Sequence, residues 1–213
     1  MDTCVIFCAG GFDRLVCPID DGDYVIAADG GVNYVNQLNI PCHAVLGDFD
    51  SLGFIPEGAS VFPVEKDDTD SMLAVRHGLR KGFRTFILYG SLDGPRLDHT
   101  VANLQTLQFL ADHGATGYLA GTSYMATVIR NETLLFPSNA SGILSLFCLG
   151  PDAHGVTLEN LKYPLTDGTL TSGFPLGVSN HFTGVPARIT VADGSLLALY
   201  DVQNGFPVRH SAR

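Results

Sequence analysis

Residues 3–11 read TCVIFCAGG and residues 24–31 read YVIAADGG, and each is a short apolar run that ends at paired glycines. Three later apolar runs, each followed by a polar or glycine-bearing turn, lie at 43–46, 60–64 and 85–89. Near-continuous apolar runs of this length indicate parallel strands that are covered on both faces. Helical patterns separate them at 31–38, 70–81 and 98–113. The alternation predicts an α/β fold with a mostly parallel sheet.

The last of these helices has an apolar stripe at three- and four-residue spacing, formed by Val101, Leu104, Leu107 and Ala111. This spacing places all four side chains on one helix face. We expect that face to pack on the sheet.

The pattern changes near residue 131, where short apolar stretches alternate with turn residues. These stretches lie at 134–136, 143–148, 156–161, 177–182, 187–191 and 196–200. Pro, Gly, Asn and Asp occupy the breaks, which is typical of antiparallel strands. We therefore predict two domains, an α/β domain at 1–130 and a C-terminal antiparallel β-sandwich at 131–213. Residues 203–213 have no such pattern, and we expect a loose tail.

Charge and composition exclude several classes of protein. The net charge of −10 argues against nucleic-acid binding, because such proteins are basic. No apolar run approaches the roughly 20 residues that a membrane span needs, and residues 1–4 contain no basic group, so we expect neither a membrane segment nor a signal peptide. Five cysteines without a CxxC pair favour reduced thiols. We expect a cytoplasmic protein.

Aspartates are concentrated where the predicted strands end. Asp48 and Asp50 lie two apart in GDFDS at 47–51, so in extended backbone they face the same side while Phe49 turns to the core. Two carboxylates so close favour a cation between them, and hard oxygen ligands suit Mg²⁺. The alternative is an Asx-turn at a strand end.

A second acidic cluster is KDDTD at 66–70, directly before a helical pattern. Helix capping by Thr69 or Asp70 accounts for part of it. Three aspartates beside Lys66 also suit a metal ion with an adjacent phosphate.

Two glycine-bearing turns complete the set. GSLDGPRLDH at 90–99 joins a strand to a helix, so its backbone N–H groups and Arg96 are suited to phosphate oxygens. An ordinary surface turn fits the spacing as well, and the chain lacks a GxxxxGK[ST] phosphate loop. AADGG at 27–31 would close over a nucleotide or make a tight turn.

Because ligands bind at the carboxyl ends of parallel strands, we expect these four turns to meet at one edge. Acids for a metal and cations for phosphate predict a Mg²⁺-dependent phosphoryl-type transfer.

At these residues the sequence resembles the thiamine pyrophosphokinase family. The matching elements occur in the family's order over nearly the whole chain: AADGG at 27–31, GDFDS at 47–51, KDDTD at 66–70, GSLDGPRLDH at 90–99 with Asn103, and LGVSN at 176–180. The resemblance implies an α/β nucleotide-binding domain followed by a β-sandwich. It also implies transfer of a diphosphate from ATP to the hydroxyl of thiamine, giving thiamine diphosphate and AMP.

The resemblance also implies roles for individual residues. Mg²⁺ would be held by Asp48, Asp50 and Asp70, with Arg96 and Asp98 also in the catalytic set. The residues that would line the site for ATP are Asp29, Gly30, Ser51, Lys66, Asp67, Thr69, Gly90, Arg96, Asp98, His99 and Asn103. Ser179 and Asn180 would contact thiamine, near the interface of a homodimer.

One departure from the family and two alternatives accompany this interpretation. Where the family usually has paired glycines before the arginine, this chain has Asp93-Gly94-Pro95-Arg96, and Pro95 has no N–H to offer a phosphate. The acceptor of the hydroxyl proton is either Asp98 or Asp70. The alternative functions are a diphosphokinase acting on a hydroxymethylpterin and a non-catalytic nucleotide- or thiamine-binding module.

Overall fold

The computed structural model describes residues 2–50, 52–63 and 67–211. The chain divides between Thr122 and Ser123 into two compact units, which we call the first unit and the second unit. The boundary predicted from sequence, near residue 130, falls at the end of the strand Tyr124–Arg130. That strand reads YMATVIR, an apolar run that suits a parallel and an antiparallel sheet equally well.

The described part of the first unit contains six strands and three α-helices. The strands are β1 (Cys4–Phe7), β2 (Tyr24–Ala28), β3 (Ala44–Gly47), β4 (Ser60–Val61), β5 (Thr85–Tyr89) and β6 (Thr116–Ala120). The helices are α1 (Val32–Gln37), α2 (Asp70–Arg80) and α3 (Leu97–Asp112).

All of these strands are parallel, in the order β6-β5-β1-β2-β3-β4. The central strand β1 is buried along its whole length, and β2 and β5 are buried at four of five positions each. Helix α2 contacts β1, β2 and β3, and α3 contacts β6. Continuous burial explains why the strands read as unbroken apolar runs. The predicted parallel α/β sheet is confirmed.

The buried face of α3 differs from the predicted stripe. Val101 is half exposed and Ala111 is only partly buried, whereas Asn103, Thr106, Leu107 and Leu110 are buried. The stripe prediction was therefore wrong for Val101. Two buried positions carry polar side chains, which a count of apolar residues cannot detect, and the buried face is thus rotated away from Val101.

The second unit is an antiparallel β-sandwich of two sheets. Its strands are β7 (Tyr124–Arg130), β8 (Glu132–Phe136), β9 (Ile143–Phe147), β10 (Ala153–Glu159), β11 (Leu165–Leu170), β12 (Asn180–His181), β13 (Ala187–Thr190), β14 (Ser195–Asp201) and β15 (Val208–Ser211). One sheet has the order β12-β9-β14-β7 and the other β11-β10-β13-β8-β15.

Phe136 of β8 packs edge-on against Tyr200 of β14, with ring centroids 5.1 Å apart, so the two sheets share one core. The predicted sandwich is confirmed.

The expectation of a loose tail at 203–213 was wrong for the described residues. Residues 202–204 form a turn of 3-10 helix, and β15 pairs antiparallel with β8. Arg209 fixes this strand: its guanidinium donates to Glu132 on β8 and to Thr127 and Val128 on β7. The partner Val128 lies about 80 residues from Arg209 along the chain, so the local sequence around Arg209 does not indicate that this segment is a strand.

Cys4 and Cys8 are buried free thiols. Burial raises the pKa of the Cys4 and Cys8 thiols to about 12, so both stay protonated near neutral pH. Within the described ranges, no helix has the length and apolar character to cross a membrane.

Candidate functional site

One cavity of about 540 Å³ lies at the carboxyl edge of the parallel sheet in the first unit, and we call it the edge cavity. The residues that line it lie at or just after the ends of β1, β2, β3 and β5, at the start of α2 and in the first two turns of α3. They are Cys8, Ala9, Gly10, Ala28, Asp29, Asp48, Asp50, Thr69, Asp70, Ser71, Gly90, Ser91, Asp93, Gly94, Pro95, Arg96, His99, Thr100 and Asn103. The turns that the sequence singled out therefore meet at one edge, as parallel strand ends should.

Close backbone contact joins the end of β1 to the turn after β5. Gly10 N–H donates to the carbonyl of Gly90 at 2.9 Å, and Gly11 N–H donates to that of Asp93 at 2.7 Å. A Cβ at Gly10 would come within 2.6 Å of the Gly90 oxygen, and Gly90 has φ of +62°. Glycine is therefore required at position 10 by the close approach and favoured at position 90 by the positive φ. These positions let two turns form one wall of the cavity.

The segment Asp48-Phe49-Asp50 turns both carboxylates to the edge cavity, but not through extended backbone. Phe49 has φ of +58° and is buried, and the Asp50 N–H donates to Asp48 Oδ1 at 3.3 Å. The Asx-turn that was the alternative is thus present together with the shared orientation. A left-handed residue, not strand alternation, sends Phe49 to the core.

The residues of the acidic cluster at the start of α2 have different roles. Thr69 is the helix cap, since its Oγ1 accepts the Met72 N–H at 3.2 Å. Asp68 pairs with Arg76 at 3.0 Å, so it serves the helix surface. Asp70 lines the edge cavity from the first turn of the helix. Asp67 is exposed and is not among the described residues that line the cavity.

A buried chain of hydrogen bonds links the starts of α2 and α3 to the turn after β5. Ser71 Oγ donates to Asn103 Oδ1 at 2.7 Å, and Asn103 Nδ2 donates to the Ser91 carbonyl at 2.7 Å. Thr69 Oγ1 lies 3.0 Å from Ser71 Oγ, and Ser91 Oγ donates to the Leu88 carbonyl. Asn103 therefore holds three segments in register besides lining the cavity.

Arg96 and Asp98 form a bidentate ion pair at the start of α3. Arg96 Nε lies 2.9 Å from Asp98 Oδ1, and Nη2 lies 2.7 Å from Oδ2. The hydrogen bonds from Arg96 lower the pKa of Asp98 to about 2, and those to Asp98 raise the pKa of Arg96. Arg96 lines the cavity, whereas Asp98 is not among the described lining residues. The guanidinium is thus oriented by Asp98.

The other first-unit residues that were predicted to bind ATP either line the cavity, lie away from its lining or fall outside the described residues. Asp29 has φ of +48° and lines the cavity, as do Gly90 and His99. Gly30 is buried behind Asp29 and is not among the described lining residues. Ser51 and Lys66, both predicted to bind ATP, lie outside the described residues.

In the second unit, Asn180 is buried and its amide is used by the fold. Its Oδ1 accepts the Tyr163 N–H at 2.9 Å, and its Nδ2 donates to the Tyr163 carbonyl at 2.7 Å. The preceding Ser179 has φ of +61°, and its N–H donates to Ser145 Oγ at 3.0 Å. This arrangement holds Ser179 in the left-handed region at the surface of the sandwich.

Sequence reasoning missed Ser71, Ser91 and Asp93 as parts of the site. Ser71 stands one residue after KDDTD, and the other two lie inside GSLDGPRLDH. Their position beside or within a recognised motif is the sequence feature that could have identified them.

The donor set suits Mg²⁺, although its members are not gathered as ligands. Across 2–50, 52–63 and 67–211, no three Asp, Glu, His or Cys side chains stand close enough together to hold a metal ion. Asp48, Asp50 and Asp70 nevertheless line the same cavity and offer the hard oxygens that Mg²⁺ prefers. Mg²⁺ usually binds through one or two carboxylates together with substrate phosphates. The residues present therefore fit this ion.

Fold and cavity define an α/β protein with an acidic, glycine-walled cleft at a parallel sheet edge, followed by a β-sandwich. Sequence models of two family domains match the chain: "Thiamin pyrophosphokinase, catalytic domain" over residues 18–119 and "Thiamin pyrophosphokinase, vitamin B1 binding domain" over residues 132–196.

Individual proteins are similar to this chain over most of its length. The chain is 28% identical to thiamine pyrophosphokinase of Bacillus subtilis (strain 168), over 90% of this chain and 95% of that protein. The crystal structure of thiamine pyrophosphokinase from Bacillus subtilis has a TM-score of 0.81 at 22% identity, covering 94% of this chain and 99% of that one. A thiamin pyrophosphokinase family protein from Enterococcus faecalis has a TM-score of 0.78 at 23% identity, with the same coverage.

The chain belongs to the thiamine pyrophosphokinase family. The fold class and the thiamine diphosphokinase function predicted from sequence are confirmed, and the pterin and non-catalytic alternatives are not favoured.

Proposed function

We propose that the chain transfers the diphosphate of ATP to the hydroxyl of thiamine in the edge cavity, and that the reaction requires Mg²⁺. The observation that carries this proposal is the meeting of Asp48, Asp50 and Asp70 with Arg96 around one cavity. A cavity lined by both carboxylates and a guanidinium suits a metal-bound polyphosphate. Since the hydroxyl attacks the β-phosphorus, the bond to the α-phosphate oxygen breaks and AMP leaves.

The chain's own residues act chiefly by positioning. Asp48, Asp50 and Asp70 would hold Mg²⁺, whose chemistry in such transfers is to neutralise phosphate charge. The backbone hydrogen bond between Gly10 and Gly90 joins two turns into one wall of the cavity that would receive ATP. Arg96, already oriented by Asp98, would bind phosphate oxygens, and Asp29, Gly90, His99 and Asn103 would line the nucleotide.

Of the two candidate proton acceptors, Asp70 is the one that lines the edge cavity, and it would accept the proton through the carboxylate oxygen that does not hold Mg²⁺. The pKa of Asp98, by contrast, is lowered to about 2 by Arg96, so Asp98 is a weak base. We assign Asp98 the role of holding the guanidinium of Arg96. Ser51, Lys66, Asp67 and Gly30 stay predicted contacts of ATP.

Thiamine would contact the second unit at Ser179 and Asn180. The amide of Asn180 is engaged with Tyr163, which supports an indirect role in which Asn180 shapes the surface that Ser179 presents. The acidic charge of the chain favours approach of the thiamine cation. By family resemblance we expect a homodimer with thiamine near the subunit interface, working in the cytoplasm.

Release of AMP tests the proposal directly. The full chain is incubated with ATP, Mg²⁺ and thiamine, and AMP and thiamine diphosphate are measured by chromatography. We expect both products in equal amounts, and we expect excess EDTA to abolish them. A parallel incubation with a hydroxymethylpterin should yield no AMP above the background without acceptor. Turnover that survives EDTA would contradict the metal assignment, and AMP formed only with the pterin would contradict the acceptor.

A further inference from the structure

Asp93 is a carboxylate of the edge cavity to which neither the family roles nor the proposed function give a task. It stands in the turn Asp93-Gly94-Pro95-Arg96 that joins β5 to α3. A negative charge beside a phosphate site weakens binding of ATP. Asp93 therefore needs a different explanation.

The contacts of Asp93 give that explanation. Its Oδ2 accepts the Thr122 N–H, just beyond the end of β6, at 2.6 Å. Its main-chain carbonyl accepts the Gly11 N–H, just beyond the end of β1, at 2.7 Å. One residue thus ties the turn after β5 to the two neighbouring strands, and hydrogen bonds to an ionised carboxylate are stronger than neutral ones.

Of the next two residues, Gly94 permits the turn and Pro95 stiffens it. Gly94 has φ of +146°, and Pro95 has its φ fixed by its ring. A turn free to adopt many conformations would have to be ordered when ATP binds, at a cost in affinity. In this chain the turn is ordered in advance.

We propose that Asp93 is a positioning residue that holds the phosphate-binding turn at 90–96 in its binding conformation through the Thr122 N–H. This inference rests on the proposed function, because it takes the turn to bind the phosphates of ATP. The charge of Asp93 opposes binding and its hydrogen bond favours binding, and the proposal requires the second effect to be the larger.

Two substitutions separate these effects. Asp93→Ala removes the charge and the acceptor, whereas Asp93→Asn removes the charge and keeps an acceptor oxygen for the Thr122 N–H. Calorimetric titration with a non-hydrolysable ATP analogue and Mg²⁺ should give a Kd about tenfold weaker for Asp93→Ala. Asp93→Asn should recover most of that loss. Asp21→Ala, which removes an exposed aspartate of the same unit, is the matched control.

Kinetics and hydrogen exchange make the test specific. The KM for ATP should rise in Asp93→Ala with little change in the KM for thiamine, and exchange of the Thr122 amide should quicken in the ligand-free protein. Equal loss of affinity in both variants would overturn the inference, because the charge itself would then be required. So would wild-type affinity in Asp93→Ala. If the wild-type chain neither binds the analogue nor releases AMP, the proposed function fails with it, whereas an active wild type with an unaffected Asp93→Ala rejects the inference alone.

Discussion

The edge cavity of the first unit and the interior of the second unit treat charged side chains in opposite ways. Five aspartates line the cavity, at positions 29, 48, 50, 70 and 93, with Arg96 and His99 as the basic side chains among the described lining residues. In the second unit, by contrast, Glu132 and Arg209 are largely buried together as an ion pair that also bonds Thr127. Like charges are collected in one region and opposite charges are matched in the other.

This difference separates function from stability. The five aspartates put like charges around one cavity, and functional sites of this kind are where proteins give up stability for activity. A buried ion pair with additional hydrogen bonds leaves a large penalty when one partner is removed. Substitutions in the cavity should therefore affect the rate and spare the fold, and substitutions in the sandwich should do the reverse.

The largest effect is expected for Asp50→Asn. Loss of one of three carboxylates for Mg²⁺ should reduce kcat by about a thousandfold or more, because phosphate charge is no longer offset. The Tm should stay equal or rise, since one like charge is gone. AMP release and differential scanning calorimetry measure the two quantities. Asp21→Asn, at an exposed turn of the same unit, is the control. A lower Tm with unchanged turnover would show that Asp50 serves stability and not activity.

Arg209→Met tests the other region. It leaves the side chain of Glu132, which is 21% exposed, without its cation, and we expect a loss of about 3 kcal/mol in the free energy of unfolding. Burial already raises the pKa of Glu132 even with Arg209 present.

Urea unfolding of Arg209→Met and of the double variant with Glu132→Gln is the measurement. The double variant should regain part of the loss, because no unmatched charge is left. A single variant as stable as the wild type would show that β15 is held by its backbone pairing alone.

A smaller effect is expected for Ser71→Ala. The substitution removes the hydroxyl that orients Asn103, so the starts of α2 and α3 lose their link, and kcat should fall about tenfold. Ser71→Cys keeps a weak donor at that position and should recover part of the rate. Ser138→Ala, at an exposed turn, controls for the chemical change. If the loss in the free energy of unfolding exceeded the rise in activation free energy calculated from kcat, the hydrogen bonds of Ser71 would serve mainly stability, like the ion pair of the second unit, and not activity.

The sequence predicted the parts of the fold that depend on local pattern. Buried parallel strands read as unbroken apolar runs, and their carboxyl ends carried the motifs, so the meeting of Asp48, Asp50 and Asp70 at one cavity followed from topology. The left-handed conformation of Phe49 did not follow, because nothing in GDFDS distinguishes it from extended backbone.

Long-range polar partners were also beyond local pattern. The hydrogen bonds between Ser71 and Asn103 and between Arg209 and Val128 span 32 and 81 residues. A buried asparagine on α3 and a basic residue in the last strand both look like surface residues to a periodicity argument. Such pairs become visible only when the fold brings them together.

The smallest effect is expected for Asp98→Asn, and it decides what Asp98 does. Because Arg96 lowers the pKa of Asp98 to about 2 from an ordinary value of 3.8, its ion pair favours the fold above pH 4, and that contribution is lost as pH falls through 2. Asp98 is therefore ionised near neutral pH. The substitution frees the guanidinium of Arg96, so kcat/KM for ATP should fall a few-fold.

The acid limb of the pH dependence of kcat/KM between pH 5 and 9 should stay where it is, since Asp98 does not titrate there. The measurement compares the two pH profiles in one buffer series, with acid unfolding between pH 4 and 2 as the companion experiment. If kcat instead fell by about a hundredfold or more and the acid limb disappeared, Asp98 would be the proton acceptor, and its pairing with Arg96 would then serve the chemistry itself.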